Sequence, residues 1–157
     1  MHSHDSPDRL DWLDAHYRAM PPVAALALAP AAFDGAELVL RAPLAANVND
    51  KGCAFGGSLV SLMTLAGWGL VTARLRGAGA EADVFVADSQ VRYRAPLYAD
   101  LEARARIEGD VPAEAMLAQL RQDGRVAVQV AARVCLPEGG DAVRMQARYV
   151  AIAKGGR

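Results

Sequence analysis

The spacing of apolar positions changes once along the chain, from a helical period of about 3.6 residues to a strand period of 2. Before the change, residues 52–73 form a run without a single charged side chain. This run predicts one long apolar helix over about residues 55–76, which Gly77 and Gly79 end. After it, most of the chain consists of segments in which apolar and polar residues alternate.

Each alternating segment predicts a half-buried antiparallel strand. The predicted strands cover residues 82–94, 101–108, 125–135 and 143–152. In the first strand, alternation groups Phe85, Ala87, Ser89, Val91 and Tyr93 on one face and Val84, Val86, Asp88, Gln90, Arg92 and Arg94 on the other. In the last, one side carries Met145, Ala147, Tyr149 and Ala151.

The N-terminal third and one later segment add shorter elements. Apolar residues at helical spacing predict an amphipathic helix over about residues 7–20. Residues 24–29 and 36–41 predict two short strands, and the turn at Asp34-Gly35 makes them an antiparallel hairpin. Residues 112–122 predict a small helix between two of the later strands.

These elements predict an α+β protein with the hotdog fold, a curved antiparallel β-sheet wrapped around one long central α-helix. Each alternating strand has one apolar face, and the uncharged helix has the length needed to cover those faces. The helix is also long enough to span a membrane, but a membrane span would leave the strand faces uncovered. We therefore expect no membrane insertion and a single domain over residues 1–157, with residues 1–22 as an N-terminal helical extension.

Composition narrows the possible functions. The 17 basic and 18 acidic side chains give a net charge of −1, without the basic patch that nucleic-acid binding requires. The two cysteines and three histidines have no metal-ligand spacing, so we expect no metal and no cofactor. The N-terminus carries charges where a secretory signal needs an apolar core, which favours a cytoplasmic protein.

The loop before the long helix holds the most informative chemistry. Its sequence, Asn47-Val-Asn-Asp-Lys-Gly-Cys-Ala-Phe-Gly-Gly-Ser58, places amides, a carboxylate and glycines at a helix N-terminus. Free N–H groups and a partial positive charge at such a terminus favour an oxyanion, which predicts the N–H of Gly56 as an oxyanion donor. Alternatively, Gly56 and Gly57 only allow tight packing of the helix.

This loop resembles that of the hotdog thioesterases, and most closely the YiiD C-terminal type. The resemblance rests on NVNDKGCAFGGSLVSLMTLAGWGL and ADSQVRYRAPLYADLEA, and the predicted element order extends it over residues 25–153. It implies hydrolysis of an acyl thioester of coenzyme A or acyl carrier protein, with water as acceptor and the carrier as part of the substrate. It also implies paired sheets, in a homodimer or a dimer of dimers.

The chain departs from better-known members of that superfamily at two positions. Their motif has an Asn, then His-Gly-Gly, and an acidic residue seven positions after the second Gly. Matched on Gly56-Gly57, the Asn is Asn49, the His is replaced by Phe55, and the acid is replaced by Thr64. The central helix therefore has no carboxylate at the usual position of the nucleophile or base.

The catalytic candidates lie in the loop and on the helix. Asp50 could orient or deprotonate a water, or only cap and anchor the loop. Asn49 could position the thioester carbonyl or the water, or only form a turn. Ser61 or Thr64 could hydrogen-bond a hydrolytic water in a site shared by two subunits. With Ser58 they recur every three residues, so they could instead be small side chains that allow close packing.

The remaining candidates would bind substrate. Arg92 and Arg94 could hold the phosphates of coenzyme A or a carrier-protein surface, or be solvated strand charges. Asp88 could assist the site or form a surface ion pair, and Trp68 could bound an acyl tunnel or belong to the core. The expected substrate-binding residues are Phe55, Gly57, Ser58, Trp68, Asp88, Ser89, Arg92 and Arg94.

The sequence thus favours an acyl thioesterase over two alternatives. A non-catalytic acyl-binding or dimerisation module would explain the missing helix carboxylate. An acyl hydratase is disfavoured because the histidine expected in such a site is absent.

Overall fold

A computed structural model of the chain describes residues 7–109 and 111–155. The strands are β1 (Ala29–Phe33), β2 (Glu37–Ala42), β3 (Ala82–Tyr93), β4 (Leu101–Ile107), β5 (Arg125–Cys135) and β6 (Asp141–Ala153). The helices are α1 (Pro7–Arg18), α2 (Pro21–Ala24), α3 (Gly56–Gly77) and α4 (Ala113–Asp123), with a 3-10 turn at Leu44–Ala46. The strands form one antiparallel sheet in the order β1-β2-β4-β5-β6-β3, and α3 packs on one face of it. This is the predicted α+β hotdog fold.

The central helix α3 lies within one residue of its predicted range at each end. It contacts five of the six strands, and Leu62, Met63 and Leu70 on it are at most 1% exposed. By length and composition alone α3 could cross a membrane, and it is the only such helix among the described residues. In the structure it is the buried central helix of the fold.

Two buried tyrosines bind α3 through its backbone. Tyr149 on β6 donates a hydrogen bond to the carbonyl oxygen of Thr64 at 2.7 Å, and Tyr17 on α1 donates to that of Leu65 at 2.6 Å. Burial raises the pKa of both phenols above the ordinary value, so both hydroxyls stay protonated and can donate. The Tyr149 bond joins α3 to the sheet, and the Tyr17 bond joins α3 to α1.

Each tyrosine fits against a glycine of α3. A Cβ at Gly67 would overlap with the Tyr149 phenol, and one at Gly69 would overlap with the Tyr17 hydroxyl. Gly67 continues the stripe of small residues noted in the sequence, so at this position the stripe serves close packing.

The edge strand β3 differs from its prediction in two ways. A β-bulge between Val86 and Asp88 shifts the pairing of β3 with β6 by one residue. Before the bulge, up to Val86, the even-numbered residues face α3. After it, from Ser89 onward, the odd-numbered residues face α3. The prediction that Phe85 shares a face with Val91 is therefore wrong. Residues 85–90 are all exposed, so the prediction of a half-buried strand is also wrong there, because β3 pairs with β6 on one side only.

The predicted strand over residues 24–29 is wrong as well. Pro21-Pro22 occupy the first positions of α2, where proline's missing N–H and fixed φ suit a helix start. The strand of the hairpin begins only at Ala29 and contains Pro30, which an edge strand tolerates. The antiparallel hairpin itself, with its turn at Asp34-Gly35, is confirmed.

The other predicted helices and strands lie within two residues of the observed ones. The organisation as one domain with an N-terminal extension over residues 1–22 stays a prediction, and residues 1–6 lie outside the described part of the chain.

We expect Gly67→Ala to lower the free energy of unfolding by about 1–3 kcal/mol, because the added methyl group overlaps with the Tyr149 phenol. Gly77→Ala is the matched control: a Cβ there meets nothing within 4 Å, and the change should be neutral or stabilise by about 0.4–1 kcal/mol. Urea denaturation of both variants measures the difference. Equal stabilities would contradict the packing described here.

Candidate active site

The loop before α3 folds into a tight turn held by backbone hydrogen bonds. Val48 and Ala54 form a short antiparallel bridge, and the N–H of Phe55 donates to the carbonyl oxygen of Asn47 at 2.7 Å. The N–H of Ala54 donates to the carbonyl oxygen of Leu97 at 2.8 Å, which joins the loop to the segment after β3. The start of α3 is therefore fixed from two directions.

Two asparagines anchor this loop. Oδ1 of Asn49 accepts from the N–H groups of Lys51 at 2.8 Å and Cys53 at 3.1 Å, and its Nδ2 donates to Cys53 Sγ at 3.2 Å. Asn49 thus forms a turn, which is one of its two predicted roles. Asn47, which the sequence analysis did not single out, is 3% exposed and donates to the carbonyl oxygens of Leu26 and Pro43.

The N-terminus of α3 has no side-chain cap. Phe55 occupies the N-cap position with an extended backbone and supplies no oxygen to the first-turn N–H groups. Those groups are therefore available to an anion, and they carry the partial positive charge of the helix. A Cβ atom added to Gly57 would lie 2.6 Å from the Phe55 ring. Gly57 therefore also allows the ring to pack closely against the start of α3.

Exposed aromatic side chains surround this terminus. The Tyr93 hydroxyl donates to the carbonyl oxygen of Gly56 at 3.1 Å, and its ring lies beside the Gly56 Cα. Tyr93 is 58% exposed, Phe55 is 55% exposed, and Tyr98, next to the Leu97 contact, is 66% exposed. We call Phe55 and Tyr93 the aromatic rim. Strand alternation alone gave no sign that Tyr93 meets the helix, because the contact depends on the topology.

Asp50 lies in the same turn but points into solvent. Its side chain is 80% exposed and forms an ion pair with Lys51 at 2.9 Å. Within the described part of the chain its carboxylate makes no other hydrogen bond. Asp50 therefore does not cap α3, which was one of the roles that the sequence left open. Since α3 has no Asp or Glu, Asp50 is the carboxylate nearest to its N-terminus along the chain.

Three small polar residues recur every third position along the first half of α3. Ser58 is buried, whereas Ser61 and Thr64 are half-buried, and Thr64 Oγ1 is 3.8 Å from Met145 Sδ. Further along, Trp68 Nε1 donates to the carbonyl oxygen of Val84 on β3 at 3.1 Å. The side of α3 that carries Thr64 and Trp68 is therefore turned toward β6 and the edge strand β3.

The structure brings part of the predicted set together. One loop and the first helical turn contain Asn49, Asp50, Phe55, Gly56, Gly57 and Ser58. Trp68 lies roughly 18 Å further along α3, by the helical rise of 1.5 Å per residue, and stacks on His16. Asp88 and Arg92 lie on the other face of the sheet, where Asp88 pairs with Arg148 at 3.0 Å.

No group of three or more His, Cys, Asp or Glu among residues 7–109 and 111–155 is arranged to hold a metal ion. Cys53 is buried and free, with its sulfur facing the Asn49 amide, and Cys135 is free as well. The chemistry that the loop offers is therefore that of N–H donors, one carboxylate and hydroxyls.

A central helix with an open N-terminus inside an antiparallel sheet is the architecture of the hotdog thioesterases. The chain belongs to the family described as "Putative thioesterase (yiiD_Cterm)", whose model matches residues 13–153. The family resemblance expected from the loop is therefore confirmed.

Solved structures agree with this assignment. A structure from Shewanella oneidensis described as a "putative thioesterase" has 27% identity, a TM-score of 0.84, and coverage of 92% of this chain and 98% of that one. A protein of unknown function from Chlorobaculum tepidum TLS has 24% identity, a TM-score of 0.85 and coverage of 92% and 94%. A thioesterase from Haemophilus influenzae has 15% identity, a TM-score of 0.70 and coverage of 94% of both chains. The latter two show the shared fold.

We expect Asn49→Ala to lower the free energy of unfolding by about 1–3 kcal/mol, because it removes three hydrogen bonds inside the turn. Asp50→Ala, one residue away, should change it by no more than about 0.5 kcal/mol, because that side chain is exposed. Thermal or urea unfolding measures both. A larger loss for the Asp50 variant would contradict the different roles that the two side chains have in the structure.

Proposed function

We propose that the protein hydrolyses an acyl thioester of coenzyme A or of acyl carrier protein at the N-terminus of α3. The observation that carries this proposal is the uncapped first turn of a 22-residue helix, which begins with two glycines beneath an exposed aromatic rim. A preformed donor of this kind contributes roughly 3–4 kcal/mol when it meets charge that develops only in the transition state.

In the proposed reaction, Asp50 accepts a proton from water while the water oxygen attacks the thioester carbonyl carbon. The carbonyl electron pair moves to its oxygen, and the resulting oxyanion accepts hydrogen bonds from the first-turn N–H groups, with Gly56 as the principal donor. The intermediate collapses by breaking the C–S bond. The thiolate leaves with the proton held by Asp50, so the products are a carboxylic acid and a thiol.

Other residues of the site would position the reactants. Asn49 keeps the turn in shape, and the half-buried hydroxyls of Ser61 and Thr64 would hydrogen-bond the water at the open edge of the sheet. The acyl chain would enter beside Phe55 and Tyr93, whose exposed rings offer apolar surface. Two free cysteines agree with a reducing cytoplasm as the compartment.

A second candidate function is a non-catalytic acyl-binding module. It is favoured by the absence of a carboxylate on α3. It is also favoured by the position of Asp50, whose carboxylate forms an exposed ion pair with Lys51 and no hydrogen bond that would orient it toward the helix. Both candidates use the same donors and the same rim, so binding alone does not separate them, whereas turnover does.

The active unit in this proposal is a dimer formed through β3. This edge strand is 12 residues long and exposes Phe85 and Val86, and an open edge of this kind invites pairing with another strand. The Trp68 indole already occupies the carbonyl oxygen of Val84, so pairing would use the residues after it. A second copy would then cover the half-buried side of α3 that carries Ser61. A dimer of dimers is compatible with this contact.

We expect Asp50→Asn to lower kcat/KM for an acyl thioester about 10²–10⁴-fold, because it removes the proposed general base. Thr64→Ala should have a smaller effect, since it removes one hydrogen bond to the water. Steady-state hydrolysis across a panel of acyl-CoA and acyl-carrier substrates measures both variants.

The control for this prediction is Lys51→Gln, which breaks the same ion pair but keeps the carboxylate. It should retain wild-type turnover. If Thr64→Ala abolishes turnover and Asp50→Asn does not, water is activated from α3 and the assignment of Asp50 is wrong. A wild-type protein that binds acyl-CoA without hydrolysing any thioester would favour the acyl-binding module.

We expect wild type to sediment as a dimer or larger at micromolar concentration, and Val86→Lys to shift it toward monomer, because a charge on an open strand edge opposes pairing. Ile152→Lys is the matched control. The two side chains are similarly exposed, Val86 at 43% and Ile152 at 45%, but Ile152 lies on β6, which is already paired on both sides. A monomeric wild type, or equal effects of the two variants, would contradict dimerisation through β3.

A further inference from the structure

The face of the sheet turned away from α3, here called the outer face, carries a row of arginines. Strand pairing places Arg92 on β3 opposite Arg144 on β6, Arg144 opposite Arg133 on β5, and Arg133 opposite Arg104 on β4. Four neighbouring strands therefore present like charges directly across from one another, an arrangement that is destabilising by itself. Such a row needs either carboxylates within the protein or an anion from outside.

The internal carboxylates balance this row only in part. Glu37 is shared by Arg104 and Arg106 at 2.8 and 3.0 Å, and the side chain of Asp141, 5% exposed, is shared by Arg133 and Arg144. Burial alone would raise the pKa of Asp141, but hydrogen bonds from the two guanidiniums outweigh it and the pKa is lowered, so this carboxylate stays ionised. Each of these carboxylates already serves two guanidiniums.

Arg92 of the row and its neighbour Arg94 have no carboxylate partner. Within residues 7–109 and 111–155, their side chains form no hydrogen bond or ion pair. Glu102 adds a third internal carboxylate, which Arg104 shares with Arg41. Glu108 also lies beside the row, where it accepts a hydrogen bond from Gln146 at 3.3 Å. Arg92 and Arg94 remain without a carboxylate partner, so the row and its neighbours carry an excess of positive charge.

These side chains surround a groove rather than a flat surface. Its volume is about 620 Å³, within the range of small-molecule sites. Six arginines line it: Arg92, Arg94, Arg104, Arg106, Arg133 and Arg144. Gln90 and Gln146 add neutral hydrogen-bonding groups in the neighbouring cross-strand row. Planar guanidinium groups bind phosphate through pairs of N–H donors, which suits a compact phosphorylated ligand.

We propose that this groove, the arginine groove, binds a compact ligand that carries at least two phosphate groups. Phosphate monoesters carry roughly −1.5 to −2 charges each near pH 7, so a phosphorylated ligand would offset the positive charges of Arg92 and Arg94. The ligand is either the nucleotide end of a coenzyme A substrate, which rests on the proposed function, or a free phosphorylated metabolite. The groove lies across β3 from the candidate active site, because Tyr93 faces α3 while Arg92 and Arg94 on either side of it line the groove.

A second copy of the chain is a poor occupant of the groove. In a two-fold interface the same patch meets itself, so two arginine rows with excess positive charge would face each other. The groove is therefore left for an anion of another kind, and an acidic protein is the alternative that the experiment tests.

The experiment is calorimetric titration of the full-length protein with adenosine 3′,5′-bisphosphate and with pyrophosphate, with adenosine as the uncharged comparison. We expect both phosphorylated probes to bind, adenosine not to bind, and affinity to fall with added salt. The double variant Arg92→Gln, Arg94→Gln should weaken binding at least about tenfold, because it removes charge-assisted bonds without leaving a buried carboxylate unpaired.

The matched control is Arg125→Gln, which removes one positive charge from the outer face of the same strand as Arg133, roughly 26 Å away at 3.3 Å per residue. It should keep the wild-type Kd within about twofold. Absence of phosphate binding to wild type at millimolar concentration, or equal Kd values in the double variant and the control, would overturn the proposal. Loss of acyl-carrier hydrolysis in the double variant without any phosphate binding would overturn it in favour of an acidic protein.

Kinetics separate the two sources of the ligand. If the nucleotide end of the substrate occupies the groove, the double variant raises KM for acyl-CoA but not for acyl-pantetheine, which lacks the nucleotide. If the ligand is a free metabolite, the Kd for the bisphosphate rises and neither KM changes. Either result supports the groove as a phosphate site. The titration needs no turnover, so a failure of the proposed hydrolysis leaves the binding result readable.

Discussion

Burial of α3 against the sheet is the interaction on which the rest of the structure depends. Each fully buried leucine or methionine contributes roughly 1.5–3 kcal/mol relative to an exposed one, and α3 supplies several at 1% exposure or less. The helix can be this apolar because the strands cover it and because Tyr149 and Tyr17 bond to its carbonyl groups. The same packing keeps charged side chains out of α3 up to Ala73, and its only charged residues, Arg74 and Arg76, lie near its C-terminus.

The candidate site lies at the end of α3 that is not buried. The N-terminus of α3 emerges at the surface, and the loop that leads into it uses its own side chains to hold the turn, as Asn49 does, rather than to cap the helix. The N–H groups of the first turn are therefore left to a ligand. Phe55 and Tyr93 pack around the two glycines, so they hold the terminus in place while they present apolar surface to solvent.

The sequence predicts those features that depend on local pattern. The uncharged run determines α3 to within one residue, because no other arrangement hides so many apolar side chains. The loop motif identifies the family, but whether Asn49 holds a turn or a substrate depends on hydrogen bonds that the motif does not encode. The contact of Tyr93 with Gly56 joins residues 37 positions apart and required the topology. The strand predicted over residues 24–29 is wrong because the prolines before it, Pro21-Pro22, are compatible both with a loop before a strand and with the first turn of a helix.

The bulge in β3 connects the two sites that we propose. Strand alternation counted from the buried Val84 would turn Arg92 toward α3 and Tyr93 toward solvent, since a shift of one residue exchanges the faces of a strand. The extra residue between Val86 and Asp88 reverses this order for the second half of β3. It places the Tyr93 hydroxyl on the start of the helix and the arginines on the outer face. Without the bulge, a guanidinium would lie against the core and the helix N-terminus would lose its aromatic neighbour. A single irregularity in an edge strand therefore determines both the surroundings of the candidate active site and the composition of the arginine groove.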